Sequence, residues 1–281
     1  MLTSTKELLE TAQKHSYAIG AFNLYNLEGV KAVVNAAEAE NSPAIIQILP
    51  DVLNYGGSSM IALFLEAAKQ AKVPMSVHLD HCGDRTIIET ALEAGVTSVL
   101  ADGSMHSFEE NLAFTTEMTV LAHELGSTVE AEVGRISGTE DGMTVAEKEA
   151  KMTNPYQAKQ FVAESGVDFL AVTIGNVHGQ YYGEPQLDFG RLKEIRQQLD
   201  IPLVLHGASG LPARMIRQSI ELGVSKFNVN TEVRQKYLQF WRKFGKTESQ
   251  SDLLDCQKAA TEAMQEVIIE KIRLFGSAGK A

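Results

Sequence analysis

Cysteine is scarce in this sequence. Cys82 and Cys256 are the two in 281 residues, too few for a disulfide framework, so both are expected to be free thiols in a reducing compartment. Long apolar runs are missing as well. No stretch approaches the ~20 consecutive apolar residues of a membrane-spanning helix, and the opening MLTSTKELLE lacks the basic flank and apolar run of a secretory leader. The expectation is a cytoplasmic protein with no membrane attachment. Basic side chains number 25 against 36 acidic ones, for a formal charge of −11, and they form no cluster. This argues against nucleic-acid partners while leaving room for a small phosphate pocket. Neither low complexity nor a Pro/Gly/Ser linker marks a cut point. Residues 1–281 read as a single domain, of a size that α/β barrels commonly reach.

What the chain does have is an alternation. Short β-branched or apolar runs at 19–24, 44–49, 75–79, 98–102, 128–133, 168–174, 203–206 and 226–229 are each followed by a segment with helical spacing. Those segments lie near 27–40, 57–72, 85–95, 108–125, 155–165, 189–199, 212–222 and 232–241. They supply the crossover that each pair of parallel strands requires. Eight such units predict an α/β protein built as one (β/α)8 TIM barrel. A helix over 5–14 would cap the barrel floor, and an extra helix over 254–274 would follow the eighth unit, ending in a frayed tail. Asn154 before Pro155 reads as a helix cap, and Pro212 as the opening of a later helix. The competing architecture is an open doubly wound sheet, but no G-x-G-x-x-G follows the first strand.

In such a barrel the chemistry sits at the C-terminal ends of the strands, and these ends are polar. The third run finishes His78-Leu79-Asp80-His81, the sixth leads into Gly175-Asn176-Val177-His178-Gly179, and the seventh into His206-Gly207-Ala208-Ser209-Gly210. His81, His178 and His206 thus reach one rim from three strands, as a catalytic zinc site with an open fourth position would require. Asp80 shares a strand face with His78. A carboxylate beside a dication suits a base, so Asp80 takes that role and His78 the orienting one. The turns at 207–210 and 228–231 follow strands seven and eight, where barrels often bind phosphate. The polar, glycine-rich segment 134–142 follows strand five and carries Glu140. It reads as a mobile lid that brings a second acid or base. His15, His106 and His123 receive no chemistry.

The segments HLDH (78–81), AEVGRISGTEDG (131–142), GNVHG (175–179), HGASG (206–210) and KFNVNTE (226–232) together resemble the zinc-dependent class II ketose-bisphosphate aldolases, which act on fructose and tagatose bisphosphates. The resemblance runs from AFN (21–23) to the C-terminal tail. It implies Zn2+ on His81, His178 and His206, and Asp80 as the catalytic acid/base. Glu140 falls at the proton-transfer position of the mobile loop. Asn23, Gly179, Gly207, Ala208, Ser209, Asn228, Val229, Asn230 and Thr231 would hold the substrate and its phosphate end. Glu132 matches a carboxylate near an alternative metal position, and Asp102 another acidic position near the site. A monovalent cation, Na+ or K+, is also implied, as is a homo-oligomer, dimer or tetramer.

The implied reaction is reversible cleavage of a ketose 1,6-bisphosphate to dihydroxyacetone phosphate and an aldehyde such as glyceraldehyde 3-phosphate. Against the commoner pattern, Gln47-Ile48-Leu49-Pro50 lacks a serine expected near the substrate, Cys82 replaces a glycine, Met105-His106 replaces His-Leu, and Asn230 stands for aspartate or alanine. None removes a proposed ligand or Asp80, so altered specificity is expected rather than lost chemistry. The alternatives are an aldolase acting on another phosphorylated sugar or sugar acid, a zinc hydrolase, and a non-catalytic sugar-phosphate-binding subunit.

Overall fold

Eight parallel strands close into a barrel. The computed structural model describes residues 1–140, 143–145, 151–179, 181, 183–246 and 252–281, with the side chains of 137–140 and 143–145 outside the description. The first elements are α1 (Thr5–Lys14), β1 (Ile19–Asn23), α2 (Leu27–Ala39), β2 (Ala44–Ile48), α3 (Pro50–Gly56), α4 (Ser58–Gln70), β3 (Met75–Cys82), α5 (Arg85–Glu93), β4 (Ser98–Ala101), α6 (Phe108–Glu124) and β5 (Thr128–Val133). Then come β6 (Ser137–Glu140), β7 (Met143–Val145), α7 (Pro155–Ser165), β8 (Phe169–Val172), β9 (Val177–His178), α8 (Phe189–Gln198), β10 (Leu203–Leu205), α9 (Ala213–Glu221), β11 (Val224–Val229), α10 (Thr231–Phe244) and α11 (Leu253–Phe275). Around the barrel the order is β1-β11-β10-β8-β5-β4-β3-β2. This is the (β/α)8 architecture that the eight-fold alternation predicts.

The strands are buried on both faces, and their period of two separates two interiors. Outward positions such as Phe22, Val77, Leu79, Val129 and Phe227 join the large apolar layer beneath the helices. Inward positions near the strand starts (Ile19, Ala21, Ile45, Phe169, Ala171, Val204) form a second cluster with Leu8, Leu9 and Ala12 of α1. The leading helix therefore plugs the floor. Thr5 Oγ1 lies 2.7 Å from Ser98 Oγ, and Lys6 pairs with Asp168 at 3.0 Å. One or two steps further along, the same inward rows turn polar, and that upper layer is the candidate site.

Three features depart from the sequence reading. The C-terminal tail is not frayed: Phe275 is buried and stacks on Phe227 with centroids 4.8 Å apart, Ser277 is fully buried, and the amides of Gly279 and Ala281 donate to the carbonyls of Glu40 and Asn41. Small residues let the tail run close to the C-terminal end of α2, and its backbone donors are satisfied there. The stretch after β2 forms α3, with Pro50 in its first turn. Residues 137–140 and 143–145 pair as an antiparallel hairpin, with β6 also running parallel to β9. Of the two expected helix starts, Asn154 caps α7 by accepting from the amides of Tyr156 and Gln157, whereas Pro212 lies just outside α9, which begins at Ala213 without a side-chain cap. The apolar side of α11, including Met264, Ile268 and Ile272, packs inward on the barrel assembly.

Candidate metal centre and active site

On a regular strand Asp80 and His81 would face opposite sides of the sheet. Here the β3–β4 register shifts between Leu79 and Cys82, and His81 takes φ +42°. That left-handed conformation is costly for a residue with a Cβ and is held only where surrounding structure demands it. Its effect is to turn both adjacent side chains into the barrel mouth.

His81, His178 and His206 each place a ring nitrogen within 4.8 Å of the others. Their ring centroids are 5.0 Å (His81–His178), 4.6 Å (His81–His206) and 5.9 Å (His178–His206) apart. His81 Nδ1 faces Asp102 Oδ2 at 2.7 Å, and His206 Nε2 faces Glu130 Oε1 at 2.7 Å. A carboxylate accepts, so these ring nitrogens carry the protons. The remaining nitrogens, His81 Nε2 and His206 Nδ1, face each other at 2.8 Å. Burial opposes charge on His81, but Asp80, Asp102 and Glu132 outweigh it and push its pKa up to about 10. Burial and the charge on His81 push His178 down to about 3, and the same two causes lower His206 well below its ordinary value. Asp102 is held low despite burial, by its bonds to His81 and Ser104. The site is thus built to hold positive charge at one point between imidazoles, and the donor set fits a divalent ion.

A second set of ligand atoms, on His81, Asp102 and Glu132, also lies within 4.8 Å. Burial and the nearby Asp102 raise Glu132 to about 8, and its Oε2 has no hydrogen-bond partner among the described residues. A buried carboxyl oxygen without a partner is costly, and a cation at this point would both use it and favour the ionised form.

Asp80 is clamped by two amides. Asn23 Nδ2 donates to Oδ2 at 2.7 Å and Asn228 Nδ2 to Oδ1 at 3.0 Å, while Gln47 Nε2 donates to Asn23 Oδ1 at 3.1 Å. The carboxylate is therefore fixed beside the imidazoles. His78 lies one inward step below, with Nδ1 2.7 Å from Ser98 Oγ and Nε2 3.6 Å from Glu130. It approaches the metal-ligand candidates through that glutamate, which also bonds His206.

Across the mouth, Gly179, Ser209, Gly210 and Thr231 border one cavity of about 270 Å³, so the loops after β10 and β11 do converge. Thr231 opens the 14-residue α10, whose N-terminal amides favour an anion. Gly207 cannot be replaced without movement: at φ +67° its Cβ would lie 2.1 Å from the Val177 carbonyl oxygen. Val229 points outward into the apolar layer and Ala208 is buried, so both could serve a ligand only through backbone. Asn230 Oδ1 accepts from the Tyr25 hydroxyl at 2.8 Å, turning that side chain toward β1. Glu140 has its backbone in β6, and its side chain lies outside the described residues.

Sequence reasoning missed Glu130, Lys226, Gln47 and Tyr181. The first two stand two residues before Glu132 and Asn228 on the same inward rows, so the period of two already pointed at them. Tyr181 donates from its hydroxyl to the Gly207 carbonyl at 2.9 Å and accepts from the Val177 amide at 3.2 Å. No local pattern marks it.

The family described as "Fructose-bisphosphate aldolase class-II" matches residues 3–280. The chain belongs to that family. A curated relative, the fructose-bisphosphate aldolase of Helicobacter pylori (strain ATCC 700392 / 26695), is 39% identical, with all of both chains covered. Among solved structures, the YdjI aldolase from Escherichia coli K12 superposes with a TM-score of 0.90 at 36% identity, again over the whole of both chains. The fructose-bisphosphate aldolase (Fba) of Campylobacter jejuni shares the fold, with a TM-score of 0.83 at 23% identity over 100% of this chain and 97% of that one. This class II aldolase is a lyase, and none of its described helices is long and apolar enough to cross a membrane.

Proposed function

We propose that this aldolase reversibly cleaves a ketose 1,6-bisphosphate, of the fructose or tagatose type, to dihydroxyacetone phosphate and an aldehyde such as glyceraldehyde 3-phosphate, as one domain acting in the cytoplasm. The observation that carries the reading is the convergence of three imidazole nitrogens with an amide-clamped Asp80, opposite a cavity bordered by two phosphate-type loops. His81, His178 and His206 would hold zinc, with Asp102 and Glu132 beside an alternative position. A bound divalent ion supplies Lewis-acid stabilisation of charge developing on a carbonyl oxygen.

The chain's own residues do the rest. Asp80 accepts the proton of the C4 hydroxyl as the C3–C4 bond breaks; C4 becomes the aldehyde carbonyl, and the bonding pair delocalises from C3 toward C2. Glu140 returns a proton to C3, giving dihydroxyacetone phosphate. Gly179, Gly207 to Ser209 and Asn228 to Thr231 seat the phosphate with backbone amides and hydroxyls, with Asn23 beside the substrate and a sodium or potassium ion nearby. Assembly is as a homodimer or homotetramer.

A second substrate reading, another phosphorylated sugar or sugar acid, is favoured by one feature: apolar Leu49 lines the cavity next to His81 where a serine is expected. A coupled assay of triose phosphate release from fructose and tagatose 1,6-bisphosphates, with and without EDTA, tests both. Chelator-sensitive cleavage of either supports the first reading. A metal-loaded protein that cleaves neither moves the assignment to other ketose phosphates.

A further inference from the structure

Lys226 is fully buried inside the barrel, one inward step below Asn228, and the proposed reaction gives it nothing to do. An ammonium group has three donors and no acceptor. One donor reaches Glu130 Oε2 at 2.8 Å and another reaches Asn228 Oδ1 at 2.6 Å. Each acceptor leads into the site, and Asn228 Nδ2 itself also lies 3.3 Å from His206 Nδ1. The other oxygen of Glu130 receives Nε2 of His206, and the Asn228 amide nitrogen donates to Asp80 Oδ1.

We propose that Lys226 is a positioning residue that sets the metal-binding nitrogen of His206 and the orientation of Asp80 together; the catalytic half of this rests on the aldolase reading above. The two ends of an asparagine amide have the same shape, so Asn228 can be seated two ways. A donor-only neighbour on Oδ1 selects the seating that aims Nδ2 at Asp80. The same ammonium fixes Glu130, so that its second oxygen stays on His206 Nε2 and leaves Nδ1 facing His81. Stability alone does not account for the charge: an apolar pair of similar volume commonly serves a core as well as a buried ion pair. Nor does His78 substitute for it, since its Nε2 stands 3.6 Å from Glu130 and makes no hydrogen bond there.

The test uses the full-length protein with Lys226→Met and Glu130→Gln combined. Lys226→Met alone strands Glu130 as an uncompensated buried charge and can fail to fold, whereas the neutral pair removes that charge and keeps a side-chain amide oxygen available to His206. The folded double variant, checked by its melting transition, is expected to lose about tenfold or more in kcat with KM within about twofold, and to lose about tenfold in zinc affinity measured against a chromophoric chelator. A folded double variant that keeps either kcat or zinc affinity within about twofold of wild type overturns the coupling. The affinity measurement needs no turnover. A wild-type protein inactive on both bisphosphates would therefore sink the proposed substrate, while this inference would still stand or fall on the metal.

Discussion

Asp80 and His81 are consecutive residues on a strand, yet their side chains face the same side, because the bulge at the end of β3 places His81 at φ +42°. The proposed proton acceptor and a metal-ligand candidate are thereby set side by side, each with separate support: two amides for Asp80, one carboxylate for His81. Separate support means separable roles. Asp80→Ala should keep its bound metal, since the imidazoles and their carboxylate partners are untouched, and should lose about 10²- to 10⁴-fold in turnover. Metal analysis alongside steady-state rates checks this. An Asp80→Ala protein that loses metal but turns over normally once reloaded removes Asp80 from the chemistry.

Metal uptake should be strongly pH-dependent. In the metal-free protein His81 is protonated up to about pH 10, above the ordinary histidine value, and the ion must displace that proton to reach the ring nitrogen. The sign follows. Apparent affinity rises with pH, by at most about tenfold per unit for each proton displaced, and flattens above the His81 pKa. Calorimetric titrations in buffers of different ionisation enthalpy should read about one proton released per metal from His81 near neutral pH. Affinity that is flat between about pH 6 and 8 contradicts the assignment.

Gly207 sits at φ +67° with the Val177 carbonyl in the space a Cβ would need. Gly207→Ala must therefore push the loop after β10 away from β9, which carries His178, besides straining its own backbone by about 1–3 kcal/mol. The expected outcome is a lower melting temperature, together with a raised KM for the phosphorylated substrate as the loop leaves its position. Unchanged melting temperature and KM would show that this contact does not seat the loop.

Barrel architecture was legible because eight apolar runs with helical spacers leave few topologies open, and the three histidines and Asp80 could be placed because strand ends map to one rim. Other parts of the site were less so. Strand period by itself turns His81 away from Asp80; the bulge that corrects it is a backbone event with no sequence signature of its own. Glu130 and Lys226 were readable in principle, on the rows of Glu132 and Asn228, but a charged residue mid-strand looks solvent-facing until the barrel is known to be closed. Gln47 stands two residues past inward Ile45 on β2 and was readable in the same way, whereas Tyr181 reaches the site through a folded loop, which no local pattern reports.

The tail offers the last test, since sequence and structure disagree there. Glycines, a serine and a lysine after α11 suggest fraying, yet Phe275 packs its ring against Phe227 on the outer face of β11, between Lys226 and Asn228 in the chain. Burial of that ring couples α11 to the strand that carries Asn228. Phe275→Ala should cost about 3–5 kcal/mol, a typical loss for truncating a buried phenylalanine. A frayed tail predicts almost no loss. Denaturant unfolding of the metal-loaded protein separates the two, and a midpoint within error of wild type would mean that the packing of Phe275 contributes little in solution.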